Sequence, residues 1–585
     1  CSERWRRLIV QQGDDGRTLN HRYLEMCVFS HLASELKSGD ICVTGSEAFA
    51  DLREHLLPWP ECEQRLIAFC TRVGIPVSAA ECVAELKQRL TETAAKLDTS
   101  FPDLKGELAI GANGMPVLRR LQAREIPASA IALQSALSRE LPSRSLLDVL
   151  ANIEHWTHFT RHFGPISGFE PKIKHATERY LQTVFAMGCN LGANQAAKHF
   201  TDPVSPHMIS RVHRRHITVE KLDAATRELA ELYLRLDLPR VWGDGKSVAA
   251  DGTQYDFYDQ NLLAGYHFRY KKMGAVAYRH VANNYIATFR HFIPPGIWEA
   301  VYVIEGLLKA GLSVEPDTVY SDTQGQSAVV FAFTYLLGIH LLPRIRNWKD
   351  LNFYRPHSQS RYTHIDALFN NTIDWELIQT HWPDLLQLAL SVQAGTIASP
   401  LLLRRLSASS RRNRLFLAAQ ELGRAHRTIF LLQWIGSLPL RQEVTRETNK
   451  IESYNGFAKF LSFGGDAIPE NDPDEQQKHL RYNDLIASAV ILQNTVDMMR
   501  ALQKLHNDGT AVSGADVSFL SPYGTAGLKR FGDYHLDLKR PMEPWIRDDV
   551  FKAAAKAARA AAERPAPTPT EENAKPRPPS EDASA

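Results

Sequence analysis

Three acidic residues stand where carboxylates could manage phosphodiester chemistry: Asp251, Asp322 and Glu452, separated by 71 and 130 residues. Cleaving a phosphodiester with water needs a nucleophile made from a poorly acidic molecule, and a site for charge leaving on oxygen. Two divalent ions about 3.5–4 Å apart, held by carboxylates, supply both. Hard ions such as Mg²⁺ prefer oxygen ligands and retain several waters, so about three carboxylates suffice. Such carboxylates repel one another when no cation lies between them. They must therefore come from distant segments held on a rigid frame. The chain has 66 acidic residues, so position has to select among them. Taken singly, each of the three also reads as a capping or solvated carboxylate.

The frame is legible as a change of texture near Val241. Ser247 to Phe257, Gly274 to Val281 and Tyr285 to Phe292 are strand-like, and Pro294-Pro295 ends the third. An apolar-periodic helix follows from Trp298 to Ala310. Then come a short strand at Thr318 to Ser321, a helix from about Gln326 to Leu337, and a strand at His340 to Arg344. Three antiparallel strands followed by strand–helix units are the order expected of an RNase H-like sheet. Asp251 falls inside the first strand, where an acid has little structural use unless it faces a site. Asp322 ends the short strand, and carboxyl ends of strands are where open α/β sheets bind ligands. Glu452 lies on a later helix. Asp244 rivals Asp251, while Glu443 and Glu447 rival Glu452. On one helix, though, those two would point roughly 140–180° away from Glu452.

Around this core the pattern is helical. Tyr23 to Leu36, Ala79 to Lys96, Leu222 to Leu236, Trp375 to Val392, Leu415 to Trp434 and Leu480 to His506 all carry apolar spacing near 3.6. Asn194 to Phe200, a turn at Thr201-Asp202-Pro203 and His207 to His216 have helix-turn-helix spacing, with Arg211, Arg214 and Arg215 on the second helix. Gly464 to Gln477 is polar and acidic and reads as a solvated loop. The Ala-rich then Pro-rich segment after about 552 reads as an unstructured tail.

Composition bounds the rest. The 585 residues allow about four domains. The 68 Lys and Arg are nearly cancelled by 66 Asp and Glu, so any nucleic-acid surface must arise from local segregation of charge. All seven cysteines lie in the first third without a C-x-x-C pair, which favours buried free thiols over a zinc site, although Cys62 and Cys70 could pair. No apolar run of about 18 residues and no signal-peptide pattern is found, so a cytoplasmic protein with no membrane partner is expected. Gly245-Lys246-Ser247 invites a nucleotide-binding reading, but a P-loop needs Gly where Arg240 stands, so no nucleotide cofactor is implied. The first residue is Cys1 rather than Met, as expected of the remainder of a longer chain.

Several motifs occur in a telling order: Trp242-Gly243-Asp244-Gly245 with Asp251-Gly252, Ser321 to Ser327, Leu342-Pro343-Arg344-Ile345-Arg346, Glu421 to Phe430, Thr448-Asn449-Lys450-Ile451-Glu452 and Ser521-Pro522-Tyr523. As a set, from about residue 20 to 540, they resemble the class II replicative transposases of the bacterial Tn-three family. Ile451 stands where many members carry Gly. The resemblance implies an aspartate–aspartate–glutamate core binding two Mg²⁺, for which Mn²⁺ may substitute. Such enzymes nick transposon 3′ ends and transfer the freed 3′-hydroxyl into target DNA, acting as a homodimer in the bacterial nucleoid. It further implies that Asp251 and Asp322 hold both metals and that Glu452 serves the one activating water or the 3′-hydroxyl. A truncated, non-catalytic DNA-binding protein that occupies ends or target is the alternative.

The expected architecture is multidomain and mostly α, with an α/β RNase H-like catalytic core interrupted by a helical insertion. It comprises a helical dimerisation region (1–150), a helical linker (151–240) and the first part of the core (241–350). A helical insertion (351–445), the last core helix (446–470), a helical scaffold (471–550) and a disordered tail (551–585) follow. Basic residues cluster where DNA should lie. Arg404, Arg405, Arg411, Arg412, Arg414, Arg424 and Arg427 face a single acid, Glu421, and Arg269, Lys271 and Lys272 form a second group, with Arg279 beyond. Arginine's planar fork suits phosphate, although a solvated helix face would look the same. Phosphate contact predicts that DNA affinity falls steeply between low and moderate salt in a binding titration, and a flat dependence would contradict it.

Overall fold

The structure is a computed structural model that describes residues 2–545 except 14–15, 39–40, 47–48, 50, 123–124, 170–172, 258–264, 268–271, 294–301, 309–310, 347, 349–350, 398–401, 403–413, 466, 469 and 471. The segment expected to be a tail, 551–585, lies outside the described residues.

A mixed sheet carries the candidate residues. Its strands are β1 (Ser247–Phe257), β2 (Gly265–His267), β3 (Lys272–Ala282), β4 (Ala287–Ile293), β5 (Thr318–Ser321), β6 (His340–Pro343) and β7 (Ala467–Ile468). The central strand β1 pairs antiparallel with β3, from Val248↔Ala282 to Asp256↔Gly274. The far edge of β3 holds β4 and, at the other end, β2. The far edge of β1 holds β5 in parallel, with Ser321 on Ala250, and then β7. Strand β6 adds in parallel outside β5. The long strands therefore run β4-β3-β1-β5-β6, three antiparallel and then two parallel, as the sequence predicts.

Burial explains why these segments are strands. Val248, Ala249 and Ala250 are buried on both faces, and so is β3 from Ala275 to Ala282. Small and β-branched residues fit a sheet covered on both sides. From Asp251 to Gln254 the central strand becomes half-buried, which marks where the sheet opens onto solvent.

The helices that frame the sheet are α1 (Ala79–Ser100), α2 (Leu146–Thr157), α3 (Ala176–Gly188), α4 (Gly192–His199), α5 (Pro206–His216) and α6 (Val219–Leu234). They continue with α7 (Ala328–Leu336), α8 (Trp375–Gln393), α9 (Arg414–Gly436), α10 (Leu438–Leu461) and α11 (Pro473–Asn507). The 35-residue α11 is the central pillar. Tyr482 through Leu492 is an unbroken run of buried residues, the mark of a helix packed on all sides. It contacts α2, α3, α6, α10 and β4. Helix α10 lies on β1, β3 and β5, and α9 packs on α1, α7 and α8.

The structure adds elements that periodicity missed. Val10–Gly13 pairs with Gly16–Leu19 and Leu108–Ile110 with Pro116–Leu118, both antiparallel, inside the segment read as helical. Phe353–Arg355 and Phe369–Thr372 form a parallel pair within the stretch read as helical from 351. Three or four residues carry little alternation, and Val10–Gly13, Gly16–Leu19 and Phe369–Thr372 also lack the adjacent apolar residues that mark Thr318–Ser321 and His340–Pro343. The acidic segment Gly464 to Gln477 is only partly a loop. It contributes β7, and then Asp472 accepts from the amides of Asp474 (2.9 Å) and Glu475 (3.1 Å) to cap α11, with Pro473 in its first turn. None of the six described cysteines is in a disulfide, and five of them are buried.

One glycine shows how closely the frame is packed. A Cβ on Gly423 of α9 would lie 1.6 Å from the carbonyl oxygen of Ala328, at the start of α7. Gly423→Ala is expected to cost about 1–3 kcal/mol through overpacking, seen as a lower denaturation midpoint. Unchanged stability would show that the two helices can part without loss.

Candidate active site

The register of the parallel strands brings the first two carboxylates together. Ser321 pairs with Ala250 on one side and Pro343 on the other, and the Arg344 amide donates to the Ser321 carbonyl at 2.8 Å. The next residues are thus in a row: Asp251 inside β1, beside Asp322 and Arg344 just past the carboxyl ends of β5 and β6. Adjacent strands lie about 4.8 Å apart. A short 3₁₀ turn, Thr323–Gln326, follows Asp322 at once. Gly325 permits it, since a Cβ there would stand 2.0 Å from Ser321 Oγ.

Helix α10 closes the site. Thr448, Ile451, Glu452, Asn455, Gly456 and Lys459 recur at helical spacing and line one cavity with Asp251, Asp322, Arg344 and Arg346. Its volume is about 360 Å³. Glu452 is exposed and faces Arg344, with Oε1 3.7 Å from Nη1. Burial is the largest influence on Arg344 and, with neighbouring Arg346, holds its guanidinium below the usual value, while Glu452 opposes them. Asn455 Nδ2 donates to Asp251 Oδ2 at 3.3 Å. Among the described residues, no three acidic, His or Cys side chains converge tightly enough to form a ready metal-ligand set. The oxygen donors of Asp251, Asp322 and Glu452 nevertheless suit a hard cation. The Glu452–Arg344 ion pair is long and its carboxylate is exposed, so a rotamer change would release it at little cost.

The rival acids lie at the opposite, amino ends of the strands. Asp244, Glu443 and Glu447 line a separate cavity with Lys246, Tyr320 and Arg446. Burial tends to raise the Asp244 carboxyl, but the Lys246 amide (3.0 Å) and Asn283 Nδ2 (3.1 Å) bring it below the ordinary carboxylate value. Glu447 pairs with Lys450 at 3.0 Å and Arg446 at 2.9 Å, and Tyr320 donates to Glu443.

Residues 148–534 match the family described as "Tn3 transposase DDE domain". The chain is 30% identical to the transposase for transposon Tn501 of Pseudomonas aeruginosa, over 92% of this chain and 54% of that protein. It is 30% identical to the transposase for transposon Tn3926 of Escherichia coli (91% and 53%), and 27% identical to that for Tn1546 of Enterococcus faecium (92% and 54%). The chain belongs to the Tn3 transposase family. It spans about half the length of the curated relatives it matches. A DDE domain implies an RNase H-like core, and the strand order above has that form. Among the described residues, no helix is long and apolar enough to cross a membrane.

The basic residues expected to meet DNA separate into three groups in this transposase-family chain. Arg269, Lys271, Arg404, Arg405, Arg411 and Arg412 lie outside the described residues, and of Lys272 only its place at the start of β3 is described. Arg414 begins α9 and is exposed. Arg424 and Arg427 are committed to protein partners. Arg424 pairs with Glu421 and lies over the Tyr354 ring at 5.3 Å, and Arg427 donates to the Gln326 carbonyl at 3.1 Å. Arg279 is fully buried. Its Nε donates to Asp484 at 3.1 Å, and its other nitrogens donate to Asn455 Oδ1 (3.4 Å) and Tyr255 Oη (3.3 Å). Burial works against its charge, but Asp484 outweighs that and the guanidinium is held above its usual value.

Arg344, Arg346, Asn455 and Lys459 were not singled out from the sequence as site residues. A signal was there for two of them: Asn455 and Lys459, three and seven places beyond Glu452, share its helix face. Arg279→Met would leave Asp484 buried without its main counter-charge, at a cost of about 3–5 kcal/mol. Combining it with Asp484→Leu is expected to recover most of that loss in denaturant unfolding. Equal losses in both variants would mean that packing, not charge pairing, matters there.

Proposed function

We propose that this chain holds the catalytic part of a DNA transposase that nicks transposon 3′ ends and joins the freed 3′-hydroxyl to target DNA. The observation that carries the reading is that Asp251, Asp322 and Glu452 line one cavity, where the parallel strand β5 ends beside the middle of β1. In this reading Asp251 and Asp322 hold divalent metal between them, and Glu452 leaves Arg344 to complete the set. Two ions, Mg²⁺ or Mn²⁺, when bound would lower the pKa of the attacking water or hydroxyl and stabilise charge on the departing oxygen. Arg344, Arg346 and Lys459 on the cavity wall would neutralise and orient the DNA phosphates. The strands are fixed by pairing and the helix by packing, so the backbone that carries the three carboxylates is preorganised and only the Glu452 side chain has to turn.

The remaining assignments follow from the same reading. Helices α8 and α9 and the strand pair before them form an insertion between the RNase H-like strands and α10. Residues 1–150 take part in self-association into a homodimer on paired ends. Exposed Met26 and Phe29, three places apart on one face of helix His21–Ser38, support this as apolar surface that a partner would cover.

The test incubates the chain with transposon-end DNA and Mg²⁺ or Mn²⁺, comparing wild type with Asp322→Ala on a sequencing gel. Nicking at the 3′ end by wild type, reduced at least a thousandfold by the substitution (roughly 4 kcal/mol of transition-state stabilisation), is the expected result. If neither nicks, this chain is not active alone and the reading of it as a DNA-binding derivative gains ground.

A further inference from the structure

Among the described residues, Arg279 is the largest charged side chain fully enclosed in the fold, and it lies directly opposite Asp251 in the β1–β3 pair. Opposed residues of an antiparallel pair share a sheet face. Asp484, also wholly buried, rises from α11 to accept the Arg279 Nε bond, and Tyr454 Oη donates to the same Asp484 oxygen at 3.1 Å. Stability alone gives little reason for such a pair, since well-packed apolar residues of similar volume are often as good or better. What apolar residues could not do is donate to the Oδ1 of Asn455. An arginine only donates and a carboxylate only accepts. Asn455 is 4% exposed and stands between the two. It must turn Oδ1 to Arg279 and Nδ2 to Asp251, and the opposite amide orientation would break both bonds.

We propose that Arg279, anchored by Asp484, and Asn455 form a positioning unit that fixes the Asp251 carboxylate, and so the oxygen it offers to a cation. The proposal rests on the reading of Asp251 as a metal ligand. None of the three is a catalytic residue; they act through Asp251. Groups behind a metal ligand of this kind typically change metal affinity by about 10–100-fold when removed.

The test titrates the whole chain with Mn²⁺ and follows free Mn²⁺ by electron paramagnetic resonance, with thermal unfolding of each variant alongside. Asp251→Asn should abolish the tightest Mn²⁺ site. If it binds Mn²⁺ like wild type, the metal-ligand reading itself fails. With that control behaving as expected, Asn455→Leu should unfold near the wild-type temperature yet weaken Mn²⁺ binding by about tenfold or more. The paired variant Arg279→Met/Asp484→Leu should weaken it similarly, and it carries the test should Asn455→Leu fail to fold. A purely structural role would lower the unfolding temperature and leave Mn²⁺ affinity unchanged. That result, in either folded variant, would overturn the positioning unit.

Discussion

The parallel pairing of β5 with β1, Ser321 on Ala250, sets two negative charges side by side on neighbouring backbones. Two carboxylates so placed repel each other unless a cation lies between them or one takes up a proton. The frame must therefore hold them against that repulsion. It does so from both sides of β1. Strand β3 pairs along nine residues of it, α10 packs on its face, and α11 fills the interior behind with an almost unbroken run of buried side chains. Helix α7 fixes the other partner. It follows the turn after Asp322 and is pressed against α9 where Gly423 leaves no room for a methyl group.

Helix α10 spans both ends of the parallel strands, and its rotation per residue sorts its acids. Glu452 reaches the carboxyl ends with Asp251 and Asp322, whereas Glu443 and Glu447 reach the amino ends beside Asp244. The two ends then differ in how charge is handled. At the amino ends, Lys450, Arg446, Tyr320 and the backbone satisfy the acids. Around Asp251 and Asp322, Arg344, Arg346 and Lys459 line the cavity, and Glu452 makes a long contact with Arg344. Buried below, Asp484 is paired with Arg279 and approached by Arg290, and the Asn455 amide links Arg279 to Asp251.

A basic residue's role here follows its surroundings more than its membership of a cluster. Arg424 and Arg427 belong to the arginine-rich stretch that begins at Arg404, yet both are half-buried and hold protein partners in Glu421, Tyr354 and Gln326. Arg279 follows a basic group in sequence and is sealed in the core. Exposed Arg414 keeps the solvent access that phosphate contact requires.

The main strands and long helices were legible in local information: alternation, apolar spacing, caps and 100° steps along a helix. Preference for Asp251, Asp322 and Glu452 over Asp244, Glu443 and Glu447 came from strand placement and helix geometry together with the family's flanking motifs. Short strands such as Phe353–Arg355 escaped because three residues carry no period. Only the tertiary structure decided that Arg279 meets Asp484, 205 residues away, and that Asn455 stands between that pair and Asp251. It also decided that Arg424 and Arg427 turn inward while Arg344, Arg346 and Lys459 face the cavity. A charged side chain's partner depends on which distant segments packing brings within about 3–4 Å, and no local pattern encodes that.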